Sequence, residues 1–114
     1  MIPQLQPRDF AQWVLECQQQ GMSPLLLDVR EAWELDIAKV TPQNVAFVHT
    51  PMQQIPKQVV HMTPDQPVAV LCHHGMRSMR VAEYLQSQGF TQVCNIAGGI
   101  DAWASQVDAQ LAVY

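Results

Sequence analysis

Residues 72–78, Cys72-His73-His74-Gly75-Met76-Arg77-Ser78, combine a thiol, two imidazoles, a glycine, a guanidinium and a hydroxyl within one short segment. The apolar run Val68-Ala69-Val70-Leu71 leads into the cysteine, and Arg77 and Ser78 open a helix expected over Ser78–Gln88. A strand–thiol–loop–helix order of this kind wraps a sulfur in backbone N–H groups, here those from His73 through Gly75 and Met76 to Ser78. It also aims the positive end of a helix dipole at the sulfur. Both effects favour an anion, so Cys72 is expected to be thiolate-rich and nucleophilic. An inert buried thiol would account for neither Gly75 nor the adjacent helix start. A cation at a helix N-terminus opposes the dipole and needs a compensating role. Arg77 is therefore expected to bind an anion and to close the loop, its planar fork binding loop carbonyls or reaching an anionic group. His73 and His74 should lie on the rim of the bowl. There they either tune the charge of the sulfur and select anionic or protein-bound donors, or stand exposed without an essential role.

Four residues separate Cys72 from Arg77. Cysteine phosphatases use a related bowl that is one residue longer, wide enough for a tetrahedral phosphate. The contracted ring suits a single thiol-bound sulfur, as in a persulfide, better than an oxyanion.

The elements that must position this loop follow from periodicity. Phe10, Trp13, Val14 and Cys17 recur at helical spacing after Pro7 and stop at Gly21, which gives a helix over 8–19. Leu25–Val29 is a short continuous apolar run, the mark of a strand covered on both faces. Short helices are expected at Glu31–Ile37, Gln54–Met62 and Gly99–Ala104, and strands at Val45–Val48, Val68–Leu71 and Thr91–Ile96. The residues 106–114 read as a tail. Strands alternating with helices imply right-handed crossovers, hence an α/β fold: a small parallel sheet flanked by helices. Sites in such sheets lie beyond the carboxyl ends of the strands, where Cys72, the Asp28-Val29-Arg30 segment and His49 should converge. Asp28 and Arg30 are expected to hold each other or the active loop in place. Trp33 and Trp103 read as packing residues, Cys17 and Cys94 as buried thiols, and Gly98 and Gly99 as backbone freedom before a helix.

With 114 residues, 48% hydrophobic and 14% charged, the chain has a folding composition and room for one domain, 1–114. A net charge of −4 with scattered basic residues argues against nucleic acid or an anionic membrane as partner. No basic n-region or long apolar stretch opens the chain, so a cytoplasmic location is expected. Cys17, Cys72 and Cys94 form an odd set without a Cys-x-x-Cys pair. That suits reduced thiols and offers no metal-site spacing; neither metal nor organic cofactor is expected.

The loop resembles the active loop of the rhodanese (sulfurtransferase) family, Cys-x-x-Gly-x-Arg-Ser, with Cys72, Gly75, Arg77 and Ser78 matching. The resemblance extends to Leu26-Leu27-Asp28-Val29-Arg30-Glu31, to Tyr84-Leu85, Gly89-Phe90 and Val93, and to Asn95-Ile96-Ala97-Gly98-Gly99-Ile100-Asp101-Ala102-Trp103. Between Trp33 and Pro51 the chain departs from the Gly-His-Ile-Pro-Gly-Ala-like turn of many members. The resemblance implies a single rhodanese-like domain that moves sulfane sulfur from thiosulfate or a persulfide, by way of a Cys72 persulfide, to a nucleophilic small molecule or a sulfur-accepting protein. It also places the acid–base pair Asp28 and Arg30 near the loop end of the sheet. A phosphatase or arsenate reductase built on the same loop, and a non-catalytic sulfur carrier or docking module, remain open at this stage.

Overall fold

The computed structural model describes all 114 residues. Five parallel strands, β1 (Gln4–Leu5), β2 (Leu25–Asp28), β3 (Ala46–His49), β4 (Val68–Leu71) and β5 (Val93–Ile96), form one sheet in the order β1-β5-β4-β2-β3. Four helices connect them, α1 (Phe10–Gln19), α2 (Ala32–Ile37), α3 (Ile55–Gln58) and α4 (Met76–Ser87), and a fifth, α5 (Gly99–Gln106), follows β5.

The period of two along the central strands sorts their side chains into two cores. Leu25, Leu27, Val68, Val70 and Cys72 face one side, where they pack with Ile55 of α3 and with Val81, Ala82 and Leu85 of α4. Leu26, Ala69, Leu71, Cys94 and Ile96 face the other side, with Phe10 and Val14 of α1 and Ile100 and Trp103 of α5. Every residue of β2, β4 and β5 is buried, as expected for parallel strands covered on both faces. Each fully buried Leu or Val contributes roughly 1.5–3 kcal/mol of transfer free energy. Because Cys72 continues the Val68–Val70 face, the strand alternation itself delivers the thiol to the α4 side of the sheet.

The expected strands and helices are all present apart from one broken helix and one added strand, and most boundaries move by one or two residues. Helix α4 begins at Met76, two residues before the expected Ser78, with Gly75 as its N-cap at φ 98°. The expected helix over Gln54–Met62 is broken: only Ile55–Gln58 is α-helical, between 3₁₀ turns at Met52–Gln54 and Val59–His61. Strand β1 was not foreseen, because two residues carry no readable period. Trp33 is a correction of another kind. Expected to pack, it is 60% exposed, and its ring meets Tyr114 edge-on with centroids 6.2 Å apart. No helix is long and apolar enough to cross a membrane.

Candidate active site

Cys72 lies directly beyond β4, buried to 1% exposure. Gly75 N–H donates to its Sγ at 3.1 Å and Ser78 N–H at 3.3 Å. The Ser78 hydroxyl oxygen is 3.2 Å from the sulfur and itself donates to Asn95 Oδ1 of β5. Asn95 is oriented in turn by its amide N–H groups, which donate to Gly75 O at 3.1 Å and to Gln4 Oε1 of β1 at 3.0 Å. The bowl therefore rests on the sheet on one side and on the first turn of α4 on the other. Two converging N–H dipoles at the start of a 12-residue helix form a pre-built environment for negative charge on sulfur.

The outer wall of the bowl is docked onto α5. Ile100 N–H donates to Cys72 O at 2.9 Å, and Asp101 N–H to His73 O at 3.2 Å. The approach is so close that a Cβ on Gly99 would overlap the carbonyl oxygens of Cys72 and His73, and Gly99 also sits at φ 58°. The Ala97-Gly98-Gly99 segment is thus a contact surface for the loop as well as a turn before a helix.

Arg77 is not free to meet an anion. Its guanidinium donates twice to the Glu34 carboxylate, at 2.7 and 2.8 Å, in the bidentate geometry that guanidinium and carboxylate favour. The hydrogen bonds from Arg77 outweigh burial and hold the Glu34 carboxyl down at about 2, and the same pair raises Arg77. Its guanidinium hydrogen bonds go neither to loop carbonyls nor to an anionic ligand but to Glu34 of α2, the partner that the sequence reading missed. Asp28 and Arg30 pair with each other at 2.8 Å, both fully buried. Burial works against the Arg30 charge, but Asp28 and Tyr114 overcome it and its proton is held more tightly than usual. The Tyr114 hydroxyl joins the two ion pairs. It accepts from Arg30 Nη1 at 3.0 Å and donates to Glu34 Oε1 at 2.9 Å. His49 completes the group with its Nε2 2.6 Å from Arg30 O.

The two imidazoles differ. His74 is 59% exposed on the rim, with Nδ1 2.9 Å from Asp101 Oδ2. His73 is folded inward, its ring stacked against both His74 and Tyr114 with centroids 3.8 Å away in each case. Burial, then the neighbouring His74, lowers its pKa. Met76 stands at the loop with 73% exposure. Cys17 and Cys94 are buried away from the loop, and burial raises both thiols, Cys94 to about 12. A cavity of about 550 Å³ lies between α1, the 41–44 loop and α5 and touches none of these residues.

Of the residues the sequence singled out, the structure brings Cys72, Gly75 and Ser78 into contact and ties Arg77 to Arg30 and Asp28 through Glu34 and Tyr114. Glu34, Asn95 and Tyr114 were missed. Only Glu34 left a trace: it is the third residue of a helix that begins just after β2, where a Glu commonly reaches back to the N-cap, as it does here to Glu31 N–H at 2.8 Å.

The fold and the site together are those of a parallel α/β domain that carries a cysteine loop at the carboxyl edge of its sheet, followed at once by a helix. The rhodanese-like domain family model matches residues 10–106, and the chain belongs to that family. It is 41% identical over 93 residues to the chloroplastic rhodanese-like/PpiC domain-containing protein 12 of Arabidopsis thaliana, covering 78% of this chain but only 30% of that longer protein. It is 33% identical over 97 residues to a sulfurtransferase of Allochromatium vinosum, covering 80% of this chain and 89% of the other. A rhodanese-like domain protein from Staphylococcus aureus superposes with a TM-score of 0.73 at 22% identity, over 99% of both chains, which establishes the shared fold.

Proposed function

We propose that the protein is a sulfurtransferase that carries sulfane sulfur as a Cys72 persulfide. The observation that carries this reading is the pair of N–H donors from Gly75 and Ser78 on the Cys72 sulfur. The family and its sulfurtransferase-named members support it. In the first half-reaction the Cys72 thiolate attacks the outer sulfur of thiosulfate. The sulfur–sulfur bond of the donor breaks, its electron pair leaves with sulfite, and Cys72 is left as a persulfide anion. In the second, an acceptor such as cyanide or a thiolate attacks the terminal sulfur, and the thiolate of Cys72 departs unchanged. No net oxidation occurs across the cycle, and ping-pong kinetics follow from the covalent intermediate. The N–H groups that face the thiolate are placed to stabilise the anionic terminal sulfur in the same way.

The phosphatase reading is disfavoured by Arg77. A guanidinium committed twice to a buried carboxylate cannot clamp a phosphate, and Glu34 would repel one. Assay of thiosulfate-to-cyanide transfer and of aryl phosphate hydrolysis on one preparation tests the assignment. Sulfur transfer that is lost in Cys72→Ser, kept in Cys17→Ser and Cys94→Ser, and unaccompanied by phosphatase activity is expected. Efficient phosphate ester hydrolysis by the unaltered protein would overturn it.

A further inference from the structure

Behind the sulfur runs a chain of polar side chains whose hydrogen bonds leave no slack. Cys72, Ser78 and Asn95 are all buried, so no solvent molecule replaces a missing partner. The Asn95 amide fixes the direction of every bond in the chain. Its N–H groups donate to Gly75 O at 3.1 Å and to Gln4 Oε1 at 3.0 Å. A backbone carbonyl only accepts, so the amide cannot be turned over: its nitrogen must face Gly75 and its oxygen must face Ser78. That amide oxygen also only accepts. The single hydrogen of the Ser78 hydroxyl is therefore committed to Asn95 Oδ1.

What the hydroxyl turns toward Cys72 is a lone pair, 3.2 Å from Sγ. A thiol suits that contact, because its S–H donates to the Ser78 oxygen. A thiolate does not, because the lone pair then faces a negative sulfur. The Gly75 and Ser78 N–H groups work the other way and favour charge on the sulfur. One part of the site thus favours the anion and another favours the proton.

We propose that Asn95 is a positioning residue that aims the Ser78 hydroxyl away from Cys72 and so sets how readily the sulfur ionises. When the thiol releases its proton to a solvent base, the hydroxyl turns, gives up Asn95 and donates to the thiolate. Ser78 and Asn95 together act as a two-position switch that reads the charge of the sulfur. The place of this switch in the reaction rests on the reading of Cys72 as the nucleophile of sulfur transfer, but its test follows the thiol itself.

The test measures, by mass, the rate at which iodoacetamide alkylates the Cys72 peptide of the full-length protein across pH. Asn95→Leu keeps a branched side chain of similar size and releases the hydroxyl. Alkylation on the low-pH limb should rise about fivefold, the scale of one net hydrogen bond, while the high-pH plateau stays level. A loop merely loosened by the substitution would alkylate faster at every pH. In a Ser78→Ala background Asn95→Leu should have no such effect, because Asn95 acts through the hydroxyl. These substitutions leave the surrounding charges in place. Those are Arg77 and Arg80 of α4, Glu34 of α2, and His73 and His74 of the loop with Asp101 of α5. Asp28, Arg30 and Tyr114, linked to Glu34, are likewise unaltered. Circular dichroism checks the fold.

A second measurement needs no substitution at Asn95. In the unaltered protein the side-chain carbonyl carbon resonance of Asn95 should move through the same midpoint as the alkylation, and in Cys72→Ser it should not. An unchanged or lowered low-pH rate in Asn95→Leu, equal acceleration at every pH, the same gain in the Ser78→Ala background, or a carbonyl resonance indifferent to the thiol would overturn the proposal and leave Asn95 a support for the loop. If the parent showed these alkylation and resonance results but no transfer from thiosulfate, the sulfurtransferase reading would fall and the switch would stand.

Discussion

The thiol bowl and the charged group beside it are built in opposite ways. The bowl spans residues 72–78, and its donors to sulfur are backbone N–H groups of Gly75 and Ser78. The charged group, Asp28–Arg30–Tyr114–Glu34–Arg77, gathers side chains from positions 28 to 114. Backbone dipoles need only the local turn and a helix start. Ion pairs among buried side chains need the whole fold to bring them together, and removing one member leaves the others unpaired. The bowl should therefore govern activity with little effect on stability, and the charged group should govern stability and reach activity only through the position of the loop.

The largest effect should come from the bowl. Cys72→Ser is expected to lower sulfur transfer by on the order of 10⁴-fold or more, the scale of losing an enzyme's nucleophile. Its melting temperature should stay close to that of the parent, since the two side chains are nearly isosteric. A large drop in stability with residual turnover would erase the contrast between the two regions. Gly99→Ala tests where they meet the rest of the fold. Its new methyl would overlap the Cys72 and His73 carbonyls at a positive φ, so the loop must shift. A loss of about 2–3 kcal/mol in denaturant unfolding and a fall in kcat are expected together.

Within the charged group, Glu34→Gln should cost about 2 kcal/mol of stability. Movement of its carboxyl from 4.5 to about 2 corresponds to about 3 kcal/mol, reduced because Arg77 is one-third exposed. The pH dependence follows from the depressed carboxyl. Below its ordinary value of 4.5 the unfolded chain takes up the proton first, so stability is complete above that pH and declines as pH falls toward about 2. Acid titration of folding should show this slope in the parent and lack it in Glu34→Gln; identical slopes would contradict the assignment. The smallest effect belongs to Tyr114→Phe, which keeps the stack on His73 and removes the hydroxyl between Arg30 and Glu34. About 1 kcal/mol is expected by thermal unfolding, with sulfur transfer changed severalfold at most.

The same contrast explains what could be read from the sequence. Strand β4, the thiol, the glycine and the helix start are contiguous, and the continuous apolar runs of β2 and β4 announce a sheet covered on both faces. The order of elements, the parallel topology and the bowl were legible for that reason. Glu34, Asn95 and Tyr114 were not, because each meets its partner across 17 or more residues of chain. Asn95 reads as an ordinary strand residue until β1 brings Gln4 alongside it, and β1 is too short to show a period. Arg77 shows the limit most plainly: its need for a compensating role followed from the helix dipole, but the partner that fills it, Glu34, comes from α2, 43 residues away. Trp33 failed for a simpler reason, since a large apolar side chain on a short helix says nothing about which face it takes.

The central claim, that Cys72 holds sulfur in a bowl of N–H groups, is tested most directly by mass. The protein is incubated with thiosulfate, alkylated and digested, and its three cysteine peptides are weighed. A gain of one sulfur atom, about 32 Da, on the Cys72 peptide alone, removed by cyanide, is the result expected. Sulfur on the Cys17 or Cys94 peptide, or on none of the three, would contradict it.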